Sequence, residues 1–97
     1  MNTLLLLSEG DVQTAFAQYL RRLREEAKLS RDDMAEKSTV PASTIKKFEL
    51  TGQISFRQLL LLWQSLDDLR LLYDLTQPAA QFSATPTSID EVLKGDF

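Results

Sequence analysis

The stretch DMAEKSTVPASTIKKFE, residues 33–49, contains two short helical patterns separated by a break. Apolar residues recur at helical spacing on both sides of that break; they are Met34, Ala35, Ile45 and Phe48. The break, STVPA, has alanine as its only strong helix former, and Pro41 fits the start of a helix but not its interior. We therefore predict two short helices joined by a tight turn, the second running from Ala42 to Leu50 and stopping before Gly52.

Capping signals predict where the helices begin. SEGD at residues 8–11 and SRDD at residues 30–33 each place an acidic residue three positions after a serine, and Ser55 is followed at the same spacing by a glutamine. Apolar residues at helical spacing follow Ser8, and a fifth helix is predicted in the leucine-rich segment from Leu66 to Leu75. Short connections between apolar helices favour an all-α fold, and only the opening TLLLL has a possible strand pattern.

The composition excludes most catalytic and metal-binding chemistry. The 97-residue chain is long enough for one small domain, and it has no cysteine and no histidine. A disulfide, a thiolate zinc site and a histidine general base are therefore impossible. Because the chain has only three glycines and no glycine-rich run, a phosphate-cradling loop is excluded as well. An enzyme would have to rely on carboxylates and lysines alone, so we predict no enzymatic activity, no cofactor and no metal.

We predict a helix-turn-helix DNA-binding and dimerisation domain at residues 1–75, on the resemblance given below, and a flexible tail at residues 76–97. The segment QPAAQFSATPTS is rich in Pro, Ala, Ser and Thr, which predicts a flexible linker. The closing SIDEVLKGDF has an apolar edge, so we predict that it binds a protein partner through Ile89, Val92 and Leu93. The opening MNTLLLL is too short for a signal peptide or a membrane span, which predicts a soluble, cytoplasmic protein.

The net charge of −3 is unevenly distributed along the chain. Nine basic and eight acidic residues lie between Met1 and Arg57, which gives this part a net charge of +1. From Gln58 to Phe97 there are two basic and six acidic residues, a net charge of −4. The acidity thus belongs to the second half, and the two short helices can present a local basic face.

The segment LRRLREEAKLSRDDMAEKSTVPASTIKKFE, residues 20–49, resembles the XRE/Cro-type helix-turn-helix family, which includes the lambdoid phage repressors. The resemblance covers about half the chain, from Phe16 to Leu66, and implies a five-helix lambda-repressor-like domain that binds DNA and associates with the nucleoid. This sequence departs from the family at Thr39, where a glycine is usual in a turn that favours positive φ. Because a β-branched residue adopts positive φ only at a cost, we expect this turn to be built differently.

The resemblance also implies which residues contact DNA. The position of Arg31 usually touches phosphate in this family, and three small residues from Ala42 to Thr44 form the leading edge of the recognition helix. Two lysines lie a turn further along that helix, and Arg57 adds a positive charge beyond it. The predicted DNA-binding residues are Arg31, Ala42, Ser43, Thr44, Lys46, Lys47 and Arg57. Arg24 is instead expected to pair with Glu49, as its counterpart usually does in this family.

A narrower resemblance connects STIKKFELTGQIS, residues 43–55, to the HipB-like antitoxins encoded beside HipA-type kinases. This similarity implies a dimeric repressor of its own operon, which reads an inverted-repeat operator in double-stranded DNA and holds a HipA-like kinase toxin. The alternative is a phage-type or general XRE-family regulator without a toxin partner.

Five further residues have competing structural interpretations. Leu60 and Leu61 fit either the core or a dimer interface, and we predict the dimer interface. Trp63 is predicted to be a core residue rather than a stacking platform for bases. Asp67 and Asp68 are predicted to start a helix rather than to form a metal-binding or acid pair.

Overall fold

Residues 6–78 are described by the computed structural model, and this part of the chain consists of five α-helices without a strand. The helices are α1 (Glu9–Glu26), α2 (Arg31–Ser38), α3 (Ala42–Thr51), α4 (Phe56–Leu66) and α5 (Arg70–Leu75). The prediction of an all-α, five-helix domain is therefore confirmed. The residues predicted to form the tail's apolar edge, Ile89, Val92 and Leu93, lie outside the described residues.

The predicted capping boxes are present at the starts of α1 and α2. The Ser8 hydroxyl accepts a hydrogen bond from the Asp11 backbone N–H at 3.2 Å, and the Asp11 carboxylate accepts one from the Ser8 N–H at 3.0 Å. Ser30 and Asp33 repeat the arrangement at 3.0 and 3.1 Å. Hydrogen bonds from Ser30 lower the pKa of the Asp33 carboxyl. These boxes fix where two helices start, and with them the length of the loop before α2.

The core lies where α1, α2, α3 and α4 meet. Its buried apolar members are Ala17, Leu20, Met34, Val40, Ile45, Phe48, Leu62 and Trp63. Trp63 is 5 % exposed, packs against the rings of Phe16 and Tyr19, and donates its indole N–H to the Asp68 carbonyl at 3.0 Å. The prediction that Trp63 is a core residue is confirmed.

The fifth helix is shorter than predicted because α4 ends at Leu66 and the chain becomes extended at Asp67. The Asp68 carboxylate accepts a hydrogen bond from the Arg70 N–H at 2.8 Å, but α5 begins at Arg70 with Leu69 as its N-cap, so neither aspartate is the first residue of a helix as predicted. Asp67 instead accepts a hydrogen bond from the Tyr19 hydroxyl at 2.6 Å, which ties this loop to α1. That bond lowers the pKa of the Asp67 carboxyl and raises the pKa of the Tyr19 hydroxyl.

Gly52 ends α3 with φ of 82° and lies against the backbone of α1. A Cβ at this position would approach the Gln13 carbonyl carbon and Cβ to 3.2 Å, in a conformation that L-residues disfavour. We expect Gly52→Ala to lower the free energy of unfolding by about 2 kcal/mol, measured by urea denaturation. Gly10→Ala is the matched control, because its Cβ would meet only the Ser8 hydroxyl at 3.6 Å in a helix. Gly10→Ala should raise the free energy of unfolding by about 0.5 kcal/mol. If both variants changed the free energy of unfolding in the same direction, the explanation for Gly52 would be wrong.

The turn between α2 and α3 keeps the left-handed geometry although Thr39 stands where a glycine was expected. Thr39 has φ of 68° and ψ of 10°, and its backbone N–H donates to the Ala35 carbonyl at 2.8 Å. The buried Ser38 hydroxyl accepts the Val40 N–H at 3.1 Å, while the Thr39 hydroxyl donates to the Ser38 carbonyl. The expectation of a differently built turn was therefore wrong, because these local hydrogen bonds hold a β-branched residue at positive φ.

Thr39→Gly is expected to raise the free energy of unfolding by about 0.5 kcal/mol. Relief of the left-handed strain contributes about 1 kcal/mol, and the larger entropy of glycine in the unfolded chain removes part of it. Urea denaturation measures the gain. Thr39→Ala is the control, because it keeps the Cβ and should gain nothing. A stabilisation by alanine as large as that by glycine would show that φ is not the cause.

Candidate nucleic-acid interface

Helix α3 buries one face and exposes a polar one. Ile45 and Phe48 are each 1 % exposed and face the core. Ser43, Lys46 and Lys47 lie on the exposed side. The helix therefore has an apolar face that fixes it to the domain and an outer face whose side chains are available to a ligand.

The first turns of α3 border an open groove of about 400 Å³ that continues to the start of α4. Its lining residues are Ser43, Thr44, Lys47, Gln53, Ile54 and Gln58. Hydroxyl, ammonium and amide groups thus lie side by side in this groove. These are the groups that hydrogen-bond to phosphates and base edges. The sequence interpretation missed Gln53 and Gln58. The Ser55–Gln58 pair had been assigned only to capping, where the Ser55 hydroxyl does accept the Gln58 N–H at 3.1 Å.

The other predicted DNA-binding residues lie around this groove rather than in it. Ala42 is the first residue of α3 and is half-buried. Lys46 is exposed on the same helix, and Arg57 is exposed in the first turn of α4. Arg31 is the first residue of α2, and its Nε donates to Glu49 at 2.9 Å.

Glu49 joins the first three helices through two arginines. The Arg24 Nε and Nη2 donate to the two carboxylate oxygens of Glu49 at 2.7 and 3.0 Å, a bidentate pair. Arg24 also donates through Nη1 to the Leu29 carbonyl at 2.8 Å. The side chains of Glu49 and Arg24 are only 3 % and 9 % exposed. The predicted Arg24–Glu49 pair is confirmed, and Arg31 is a second partner that the sequence interpretation assigned to phosphate alone.

Residues 15–76, nearly two thirds of the chain, match the model of a protein family described as a helix-turn-helix domain. The chain belongs to this family. The match includes α2 and α3 with the tight turn between them, the two helices that define the motif. A helix-turn-helix domain binds DNA and typically has no enzymatic activity, so the chain is assigned as a DNA-binding regulator. Comparisons with curated proteins and with solved structures give no match.

The arginines around Glu49 shift the pKa of its carboxyl group. Burial by itself raises the pKa of the Glu49 carboxyl, but hydrogen bonds from Arg24 and Arg31 outweigh it and leave the pKa below its usual value. The hydrogen bond to Glu49 in turn raises the pKa of the Arg24 guanidinium. Both shifts favour the ionised forms of Glu49 and Arg24, and the hydrogen bond from Arg31 to the same carboxylate links α2 to α3.

The stability of the helix-turn-helix domain should fall in acid. Glu49, Asp33 and Asp67 have folded-state pKa values below their usual ones, so their contribution is complete above the unfolded-state values of about 4 and is lost as the pH falls through the folded-state values. Because the chain has no histidine, we expect the free energy of unfolding to be nearly constant between about pH 5 and 8. Urea midpoints measured across this range and below it should show the plateau and the acid decline. A urea midpoint that rises on acidification would contradict the claim that these three carboxylates stabilise the fold in their ionised form.

Two further kinds of site are absent from residues 6–78. No helix in this range has the length and hydropathy of a membrane span. Within the same range, no three acidic side chains come together where they could hold a metal ion.

Proposed function

We propose that the chain is a sequence-specific transcriptional repressor of the XRE/Cro type that inserts α3 into the major groove of DNA. The observation that carries this proposal is the polar groove at the start of α3, because it places hydroxyl, amide and ammonium groups along the helix edge that enters DNA in this motif. The acidity of the chain does not oppose this, since the surplus of acidic residues follows Arg57. The protein would act on chromosomal DNA in the cytoplasm.

The residues in and around the groove would contact different parts of the DNA. Ser43 and Thr44 would make single or water-bridged hydrogen bonds to base edges, with Ala42 close to the backbone or a thymine methyl. Lys46, Lys47 and Arg57 would neutralise phosphates. Arg31 would reach phosphate with its Nη atoms while its Nε stays on Glu49. Gln53 and Gln58 line the same groove as Ser43 and Thr44, and their amide groups could form hydrogen bonds with either phosphates or bases.

Salt dependence of DNA binding tests this proposal. Binding to DNA from the region upstream of the gene should weaken steeply with salt, and Lys46→Ala or Lys47→Ala should each reduce the slope of log K against log salt by about 1. Arg70→Ala, on α5 and outside the groove, is the control and should leave the slope unchanged. Salt-insensitive binding that neither lysine variant affects would refute the proposal.

We further propose that the protein is the antitoxin of a HipA-like kinase and represses its own operon. The similarity of residues 43–55 to HipB-like antitoxins supports this role. We propose a DNA-binding and dimerisation domain at residues 1–75 and a partner-binding tail at residues 76–97, with Ile89, Val92 and Leu93 as the contacts. Without a toxin partner, the protein would be a stand-alone XRE-family regulator.

Co-expression with a kinase encoded by the adjacent gene tests the antitoxin proposal. The full chain should co-purify with that kinase and relieve its toxicity, and deletion of residues 77–97 should abolish both effects. If the truncated chain still bound and neutralised the kinase, the tail would not be the contact. If the adjacent gene encoded no kinase, the antitoxin role itself would be refuted.

The proposed repressor is a homodimer, so that two recognition helices can read an inverted repeat about 34 Å apart. Leu60 and Leu61 were predicted to form the dimer interface and remain candidates for it. Both are half-buried, and Leu61 packs against the core cluster. More exposed apolar surface is present elsewhere, on α1 and α5.

A further inference from the structure

An apolar groove of about 540 Å³ runs along the outer side of α1. The side chains of α1 from Asp11 to Arg22 form its length, which is about 16 Å at 1.5 Å per residue. Phe16, Tyr19 and Trp63 form its floor, with ring centroids 5.7 and 5.3 Å apart for the two pairs that include Trp63. This α1 groove has the length of three helical turns, so a helix is the element that fits it.

The two ends of the α1 groove carry opposite charges. Asp11 is exposed and lines the groove near the start of α1, and Arg22 is exposed at the other end, 5.4 Å from the Tyr19 ring centroid. Between them lies Ala15, an exposed small residue that allows close approach of a second helix. Val12 is 43 % exposed beside it. A surface of this kind is complementary to itself after a twofold rotation.

We propose that a second copy of this chain occupies the α1 groove, with the two α1 helices antiparallel about a twofold axis near Ala15. The acidic start of one helix then lies beside Arg22 of the partner subunit, and Val12 packs against the aromatic floor. Leu7, 58 % exposed and already at the edge of the groove, reaches the far end of the partner's groove. Glu26 lies one turn beyond Arg22, past the end of the partner's α1 helix, so it does not face the acidic residues at the start of that helix. This inference rests on the proposed dimeric state of the repressor and names its surface.

Other apolar surfaces do not have this self-complementarity. A second groove of about 530 Å³ between α1 and α4 has only Glu9 as a charged residue among those lining it. The exposed Leu71, Tyr73 and Leu75 lie on the six-residue α5. The second groove has no basic residue at either end, and α5 is shorter than the three turns of the α1 groove, so neither surface specifies its own copy as a partner.

Cysteine cross-linking tests the α1 pairing, because the chain contains no cysteine of its own. Ala15→Cys places one thiol per subunit near the proposed axis, where a short bismaleimide can link two copies. Thr14→Cys is the matched control, since this neighbouring residue is also exposed but does not line the α1 groove. Labelling with a monofunctional maleimide checks that the two thiols react equally.

The expected result is a covalent dimer for Ala15→Cys and none for Thr14→Cys. Sedimentation of the unmodified protein should show a dimer that Ala15→Glu converts to a monomer with unchanged helix content. A monomer at all concentrations would overturn the proposal. A dimer with equal linking at both positions, or with none at Ala15, would place the interface elsewhere and overturn it as well.

These measurements are made without DNA, so they separate the pairing from the repressor function. Salt-dependent DNA binding with no Ala15 cross-link would refute only the α1 pairing. A cross-linked dimer that fails to bind upstream DNA would refute the proposed function and leave the pairing intact. Trp63, the single tryptophan, gives an independent signal, because its emission should change with protein concentration as the groove closes.

Discussion

Replacing Glu49 by alanine is expected to lower the free energy of unfolding by about 3 kcal/mol or more. The change removes both acceptors of the Arg24 bidentate pair and leaves a guanidinium that is 9 % exposed without its counter-charge. It also releases Arg31, the residue that ties the start of α2 to the end of α3. Urea denaturation followed by circular dichroism measures the loss.

Glu25→Ala is the matched control for Glu49→Ala. Glu25 pairs with Arg21 at 3.1 Å, but these two side chains are 55 % and 44 % exposed, so water screens the pair. Its removal should change the free energy of unfolding by less than about 0.5 kcal/mol. Similar losses for the two variants would show that burial of the Glu49 cluster is not what makes it strong.

Reversing the charge of Lys47 is expected to weaken binding to upstream DNA by about 100-fold. Lys47 lines the polar groove together with Ser43 and Thr44, so a glutamate there would face phosphates in place of an ammonium. Placing like charges together costs several kcal/mol, and about 2.7 kcal/mol corresponds to the expected factor. Because Lys47 is exposed, the folded domain should be unaffected.

Fluorescence anisotropy with labelled duplex DNA measures the effect of Lys47→Glu. Arg70→Glu makes the same change of charge on α5 and is the control for a general loss of positive charge. It should weaken binding less than about threefold, since screening limits the influence of a distant charge. Equal losses for the two variants would mean that net charge, rather than the groove, determines affinity.

Local sequence signals predicted most of the fold. The Ser8 and Ser30 capping boxes and the glycine after α3 depend on residues within a few positions of each other, and all three are present as predicted. The start of α5 was misplaced because Asp67 leaves the helix to accept the Tyr19 hydroxyl, a partner 48 positions away. No periodicity in a single segment contains that information.

The candidate site was predicted less completely than the fold. The helix that faces the ligand could be recognised from its own pattern, but the groove forms only when the loop after α3 turns beside it, which brings Gln53 and Gln58 to Ser43. Arg31 was assigned to phosphate alone, because nothing local indicates that Glu49 is buried within its reach. The left-handed turn at Thr39 was missed because the prediction rested on the low propensity of threonine for positive φ, whereas hydrogen bonds of the folded turn hold the residue there.

Reading of a DNA sequence by the outer face of α3 is tested most directly by one comparison of binding affinities. The dissociation constants of the wild-type protein for its upstream duplex and for a shuffled duplex of the same length and composition are compared at physiological salt. We predict that the upstream duplex binds at least about 1,000-fold more tightly. Equal affinity for the two duplexes would contradict the account.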